Sequence, residues 1–405
     1  MKKVLAIALA LAMVLGLAAC GGSSSSTTTT TPAATDTYKI GMVCIGDQNA
    51  AYDRNFMMAA DAATEQLAAE GINIEWIYKY NNPTEVADDC ADLADEGCIF
   101  VVCNSYGQEP QMLITAADYP NTVFVGCTNQ GSQADDLPNT INAFPNIFEA
   151  RYLAGVAAGC KLNEMIEKGE ITADQAVMGY VGAYTYSEVI SGYTAFFLGA
   201  RSICPSATMK VQFIGSWGDT ALEEAAAQDL IDRGAVLISQ HSDNTSPATT
   251  AQKNGKYHVG YNIAMSDVAP DASIISSRID WTNFFVSTIR TIVNGGAVDQ
   301  DYLNHGLNDG DVCLTDLNTA IAAAGTQEAI DAAAEAIKSG ELKVFDTSKF
   351  TVNGETLTSL MADTDGDFAG DTEAVSDGFF HESYLLSAPQ FSARIDGIEL
   401  VNEAY

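Results

Sequence analysis

His241 and Asp243 stand two residues apart at the end of the apolar run AVLISQHSD (235–243), the spacing at which alternate strand residues face the same way. A histidine and a carboxylate on one face can move a proton or hold a ligand by hydrogen bonds. Neighbouring runs finish in the same manner: MGYVGAY (178–184) at Tyr184, VQFIGSW (211–217) at Trp217 and YHVGYN (257–262) at Asn262. Trp217 lies where the chain turns toward a helix, so it is expected to face a ligand. Aromatic rings flanking a cleft stack on a planar base, while nearby Asp and Asn fix its edge and sugar hydroxyls. There is no G-x-S-x-G elbow and no Ser-His-acid arrangement, so binding is the expected role rather than catalysis. The competing reading is an exported hydrolase using His241 and Asp243 on a sugar or nucleoside.

The elements that must position these residues alternate between strand and helix. SEVISGYTAFFLGARSI, GDTALEEAAAQDLIDRG and SPATTAQKNG separate the runs and carry helical spacing. In open parallel sheets ligands collect at the carboxyl ends of the strands, which makes that edge the candidate site. The same alternation occupies the first part of the chain: YKIGMVCIG (38–46), INIEWIYKY (72–80), GCIFVVCNS (97–105) and NTVFVGCTN (121–129). Their ends put Asp47, Asn104 and Thr128 at a second edge. Tyr52, Phe56, Phe144 and Trp281 are aromatics near strand ends or hinge segments, although Phe56 and Trp281 suit a core equally well.

The fold class expected is α/β, two doubly wound parallel-sheet lobes joined by a multi-strand hinge that permits closure. Lobe 1 is read as 38–143 plus 263–308, and lobe 2 as 144–262 plus 309–345. MSDVAPDASIISSRIDWTNFF is read as a strand and helix returning to lobe 1, with a third crossing near LNHGLNDGDVCL. TDLNTAIAAAG and TQEAIDAAAEAIKSGELKVF are read as helices. Residues 346–405 form an acidic extension expected to pack on lobe 2.

Composition narrows the partners. Nineteen Lys and Arg against 53 Asp and Glu give a formal charge of −34, which repels nucleic acid and anionic membranes. A neutral or cationic ligand is favoured over a phosphate. Residues 1–20 read as an export signal, with Lys2 and Lys3 before an apolar run. Leu17-Ala18-Ala19-Cys20-Gly21 resembles a bacterial lipobox, whose cysteine is acylated, and the Ser/Thr-rich 21–37 would be its flexible tether. Eight further cysteines show no metal spacing and are expected to be buried thiols, with Cys160–Cys204 or Cys90–Cys98 as possible bridges. DTDGDFAGD (363–371) has its glycine misplaced for an EF-hand and reads as a solvated acidic turn. A G-x-G-x-x-G dinucleotide loop is absent, so no cofactor and no metal are expected.

The lipobox, the IGDQNAAYDRNF opening, the NAFPNIFEARYLAGVAAG helix and the block MGYVGAYTYSEVISGYTAFFLGARSICPSATMKV together resemble the basic membrane protein family of substrate-binding lipoproteins. The likeness covers about residues 38 to 340, with the second-lobe block and ISQHSD its most specific part. It implies a type I periplasmic-binding-protein fold and a purine nucleoside or related base in the cleft. It also implies an ABC permease as partner, and a monomer held on the extracytoplasmic face of the membrane through Cys20. By position, Trp217 falls where the family stacks an aromatic on the base, and Asn55 and Phe56 match a loop after the first strand. Thr128 or Asn129 replaces an aspartate after the fourth strand. Asn262 stands where many members have an aspartate for ribose hydroxyls, and Ile279-Asp280 where several carry a lysine. A ligand sensor serving a signalling partner would use the same cleft.

Overall fold

Parallel strands buried on both faces read as unbroken apolar runs, and CIFVVC, buried along almost its whole length, is one of them. The computed structural model of the chain describes residues 37–81, 84–127 and 137–405. The first lobe is built on β1 (Thr37–Val43), β2 (Asn73–Lys79), β3 (Cys98–Cys103), β4 (Val123–Gly126) and β5 (Thr140–Asn142). They pair in the order β2-β1-β3-β4-β5, all parallel. Helices α1 (Ala51–Ala69), α2 (Val86–Asp95) and α3 (Glu109–Asp118) make the crossovers. The core on one face holds Phe56, Ala60 and Leu67 of α1, and that on the other Cys90, Leu93 and Met112 of α2 and α3.

The second lobe opens with α4 (Ile147–Glu167) and repeats the pattern through β6 (Val177–Gly182), α5 (Ser187–Ile203), β7 (Thr208–Phe213), α6 (Thr220–Asp232), β8 (Leu237–Gln240), α7 (Ser246–Lys253) and β9 (Tyr257–Tyr261). Asp219 starts α6 by accepting from the backbone N–H of Ala221 and Leu222. Its sheet continues through β10 (Ser273–Ile279) to β11 (Val312–Leu314), and at the far edge Ile398–Leu400 pairs in parallel with β7. Helix α8 (Thr282–Val293) returns to the first lobe, where Phe284, Phe285 and Ile289 join the core of α1, while α9 (Thr326–Lys338) packs through Ile330 and Ile337 into the second-lobe core.

Three expectations are corrected here. Residues 263–308 do not lie wholly with the first lobe: β10 pairs with β9 in the second sheet, and only the segment after it crosses. The strand SIISSRI buries Ser276 and Ser277 completely and is placed by its backbone ladder to β9 and β11, which an apolar count overlooks. TDLNTAIAAAG forms turns instead of a helix, because Asn318 spends its backbone N–H on Ile274 O and its amide on Pro270 O and Ser273 O. The described cysteines are all free, and the closest thiols are Cys90 and Cys103, 3.4 Å apart, instead of Cys90 and Cys98.

Helices α4 and α5 meet at glycines. A Cβ on Gly155 would overlap the Phe196 carbonyl oxygen, and one on Gly199 the Tyr152 carbonyl oxygen. Backbone, not a flexible side chain, occupies the space, so the helices must part to admit even a methyl group. Gly155→Ala is expected to lower unfolding free energy by about 2–4 kcal/mol in urea titration, against the small gain in helix propensity that alanine brings; an unchanged midpoint would contradict this packing.

Candidate functional site at the interlobe cleft

Every residue lining the cleft lies at or beyond the carboxyl end of a strand or in the first turn of the helix that follows, as parallel-sheet topology requires. The first lobe contributes Tyr52 from α1 and Ser105 and Tyr106 after β3; the crossing after β5 contributes Phe144. The second lobe contributes Glu188 from α5, Trp217 after β7, His241 and Asp243 after β8, and Tyr261 from β9. The cavity among them is small, about 20 Å³. The lobes are therefore closed on each other. Ala51 N donates to Asp243 O across the gap at 2.8 Å, and the Tyr106 ring lies 5.2 Å from that of Tyr186. A solute the size of a nucleobase enters only when the lobes part or the lining side chains move.

Asp243 lies among three other carboxyl groups, Asp53, Glu223 and Glu188. Asp243 is 6 % exposed and makes no side-chain hydrogen bond among the described residues. Burial, and then the charges of Asp53, Glu223 and Glu188, push its carboxyl well above the usual range. Asp53 is pushed up to about 6 by burial, against hydrogen bonds from Asn104 Nδ2 at 2.8 Å and Gly46 N at 3.2 Å. Glu223 is pushed up to about 7, mainly by burial, although Asn244 Nδ2 donates to it at 3.0 Å.

His241 does not pair with Asp243. Strand β8 ends at Gln240, so the alternation that would put both on one face has ceased before residue 241. Its Nε2 lies 2.6 Å from Glu188 Oε1 and its Nδ1 3.3 Å from Tyr180 Oη. Burial lowers the imidazole's pKa, and one neutral tautomer satisfies both contacts: Nε2–H donates to the carboxylate and Nδ1 accepts from the phenol. Gly192 makes room for this ring, since a Cβ there would come within 2.9 Å of it. Arg151, 1 % exposed, covers the Tyr261 ring at 3.5 Å and donates to Gln240 O at 2.8 Å. Gln240 in turn donates to Ser242 O and Asn244 O, fixing the loop that carries both His241 and Asp243.

Of the residues expected from the sequence, Tyr52, Phe144, Trp217, His241 and Asp243 line the cavity together. Tyr184 stands behind, edge-on to Trp217 at 5.4 Å. Asn104 supports the site by accepting from Tyr52 Oη at its carbonyl, 2.6 Å away. Phe56 and Trp281 do not reach the cavity; they stack on each other at 4.6 Å inside the first-lobe core. Asn55 Nδ2 donates to Ile279 O at 2.9 Å, Asp47 is spent on the turn to Asn49, and Asp280 on Thr282 N and Arg278. Asn262 is buried with φ +70°, its N–H on Ser277 O, and does not line the cavity. Thr128, Asn129 and Cys20 lie outside the described residues. Ser105, Tyr106, Glu188 and Tyr261 line the cavity without having been singled out, although each sits within a few residues of a predicted strand end. In the acidic turn, Asp363, Asp365 and Asp371 bring carboxylate oxygens within 4.8 Å, but Asp363 already accepts from Gly366 N and Phe368 N, and Asp371 from Thr364.

The family model described as ABC transporter substrate-binding protein, PnrA-like, matches residues 40–347. A protein of Haloferax volcanii whose name calls it the ABC transporter glucose-binding protein TsgA13 is 30% identical over 246 residues, 61% of this chain and 59% of that one. A protein of Brucella abortus named as purine-binding is 28% identical over 266 residues, 65% of this chain and 71% of that one. The chain thus spans somewhat over half to about seven tenths of the length of these relatives. Among solved structures, a solute-binding protein of Conexibacter woesei superposes with TM-score 0.58 at 22% identity, over 76% of this chain and 98% of that one. One of Aeropyrum pernix gives 0.60 at 13%, over 76% and 93%. These likenesses carry the two-lobe fold. No helix among the described residues is long and apolar enough to cross a membrane.

Because Glu223 holds its proton to a higher pH folded than unfolded, its contribution is full below the ordinary glutamate range and is lost as pH rises through about 7. Glu223→Gln keeps the acceptor for Asn244 and removes the titration. Relative to the parent, the variant is expected to gain on the order of 1–3 kcal/mol in unfolding free energy between pH 5 and pH 8; a pH-independent difference in urea titrations would show that Glu223 does not titrate there.

Proposed function

This chain belongs to the family of PnrA-like ABC transporter substrate-binding proteins, and we propose on that premise that its cleft takes an intact purine nucleoside or related base for delivery to a membrane permease. The family binds solutes and does no chemistry on them. The observation that carries the purine reading is the lining itself: five aromatic side chains, Tyr52, Tyr106, Phe144, Trp217 and Tyr261, around one buried carboxyl group, Asp243, that makes no side-chain hydrogen bond among the described residues. Flat faces suit a heterocycle, and Asp243 suits ring or exocyclic N–H groups or sugar hydroxyls. Neither Lys nor Arg is among the described residues that line the cavity, which disfavours a phosphorylated ligand. The Brucella relative, named for purine binding, supports the same reading.

A hexose is the second reading, favoured by the name of the Haloferax relative. It is the weaker one, because a pyranose carries many hydroxyls and the lining offers few polar side chains, chiefly Ser105, Glu188, His241 and Asp243, with Glu188 and His241 spent on each other. Calorimetry with adenosine, hypoxanthine and glucose separates the two. Heat with a purine and none with glucose is expected, and Trp217→Ala is expected to weaken purine binding at least tenfold, about 1.4 kcal/mol, while the fold persists. Binding of glucose alone would overturn the purine reading.

Cys20, in its lipobox-like setting, is proposed as the acylated anchor of a monomer on the extracytoplasmic face, with the Ser/Thr-rich segment as its tether. Cys20→Ser is expected to move the protein from the membrane fraction to the soluble fraction on cell fractionation; retention in the membrane would remove the anchor from the account.

A further inference from the structure

The family match ends at residue 347, and the chain beyond it is integral to the second lobe. Phe350, Phe380, Phe391 and Ile395 lie in the same core as Tyr152, Tyr193 and Phe196, and Ile398–Leu400 extends the second sheet. Glu382 is buried and accepts from Phe391 N at 2.9 Å, from Gln390 N, and from Ser191 Oγ of α5 at 3.2 Å. The loop that follows Glu382 reaches out of this lobe to the other. There Ser387, 1 % exposed, accepts from Phe144 N at 2.8 Å and lies within donating distance of Tyr302 O at 2.8 Å and Phe144 O at 3.1 Å. Its own N–H donates to Asp301 Oδ1 at 2.9 Å.

The atoms Ser387 grips belong to the last edge of the first lobe. Asn142, the end of β5, exchanges backbone bonds with Gln300 and Tyr302, and its side chain donates to the same Asp301 Oδ1 at 3.1 Å. Phe144 leads from that edge toward α4, and Tyr302 lies on the strand-like return. Phe144 is also a wall of the cleft. One side chain carried by the second lobe thus ties the outgoing and returning crossings of the first and fixes a lining residue between them.

We propose that the C-terminal extension is a hinge latch, in which Ser387 holds Phe144 and the paired crossings in the closed arrangement and so sets how readily the cleft opens. Lobe closure requires the crossings to change their backbone angles, and a buried group bonded to two of them resists that change. Ser387 is a positioning residue, acting on the ligand through Phe144 and through the opening equilibrium. The latch needs only that the lobes open and close, so it is tested without knowing the solute, and its failure would leave the purine reading where it stands.

Hydrogen exchange of the full chain with no solute added provides the test. The Ala51 amide is bonded to Asp243 O across the cleft and does not touch Ser387, so its exchange reports opening and not local damage. Ser387→Ala is expected to speed exchange at Ala51 about tenfold, with a melting temperature close to that of the parent. Ser387→Cys, which retains volume but loses strong hydrogen bonding, is expected to do the same and carries the test should the alanine variant not fold. Acceleration confined to amides near residues 144, 302 and 387, with Ala51 unchanged, would overturn the latch.

Discussion

The closed lobes bury most of a carboxyl group, that of Asp243, which makes no side-chain hydrogen bond among the described residues. Asp243 is walled by rings, and the nearest acids repel rather than satisfy it. A buried ionised group without a partner is costly, and it avoids that cost by staying protonated or by acquiring a donor. The backbone of the same residue closes the gap through the bond from Ala51, so the element that shuts the cleft also carries this acid. A solute that brings donors to Asp243 relieves this penalty and favours closure by the difference between the two states.

The rest of the second lobe serves to keep that acid and its neighbours in place. Gln240, held by His258 and bonded to two carbonyls of the following loop, fixes where the chain goes after β8. Glu188 and His241 satisfy each other and are less available to a ligand, while Arg151 sits behind them over Tyr261. The glycine-to-backbone contact of α4 with α5 sets the position of Glu188, and the extension reinforces it through the bond between Ser191 and Glu382. The geometry of the cleft therefore depends on packing well away from it.

Much of this was legible in the sequence. Continuous apolar runs alternating with helical spacing specify parallel sheets, and the strand-end rule located the cleft to within a few residues on both lobes. Which residue of each cluster faces inward was not legible, because strand periodicity stops where the loops begin. Tyr261 lines the cavity where Asn262 does not, since Asn262 adopts a positive φ just past the end of β9. Tyr106 takes the place expected of Asn104, which is committed to Asp53 and Ile45. Phe56 and Trp281 are aromatic for the sake of a core, and composition alone does not separate the two uses. The serine-rich strand β10 was misplaced because hydrogen bonding, not hydrophobicity, puts it in its sheet.

The most direct test is mass spectrometry of the small molecule carried by the protein when it is purified under native conditions from cells that make purines. An uncleaved purine nucleoside or base is expected, released on denaturation in about equimolar amount and lost in Asp243→Asn. A sugar in its place, or free ribose beside free base, would contradict this reading.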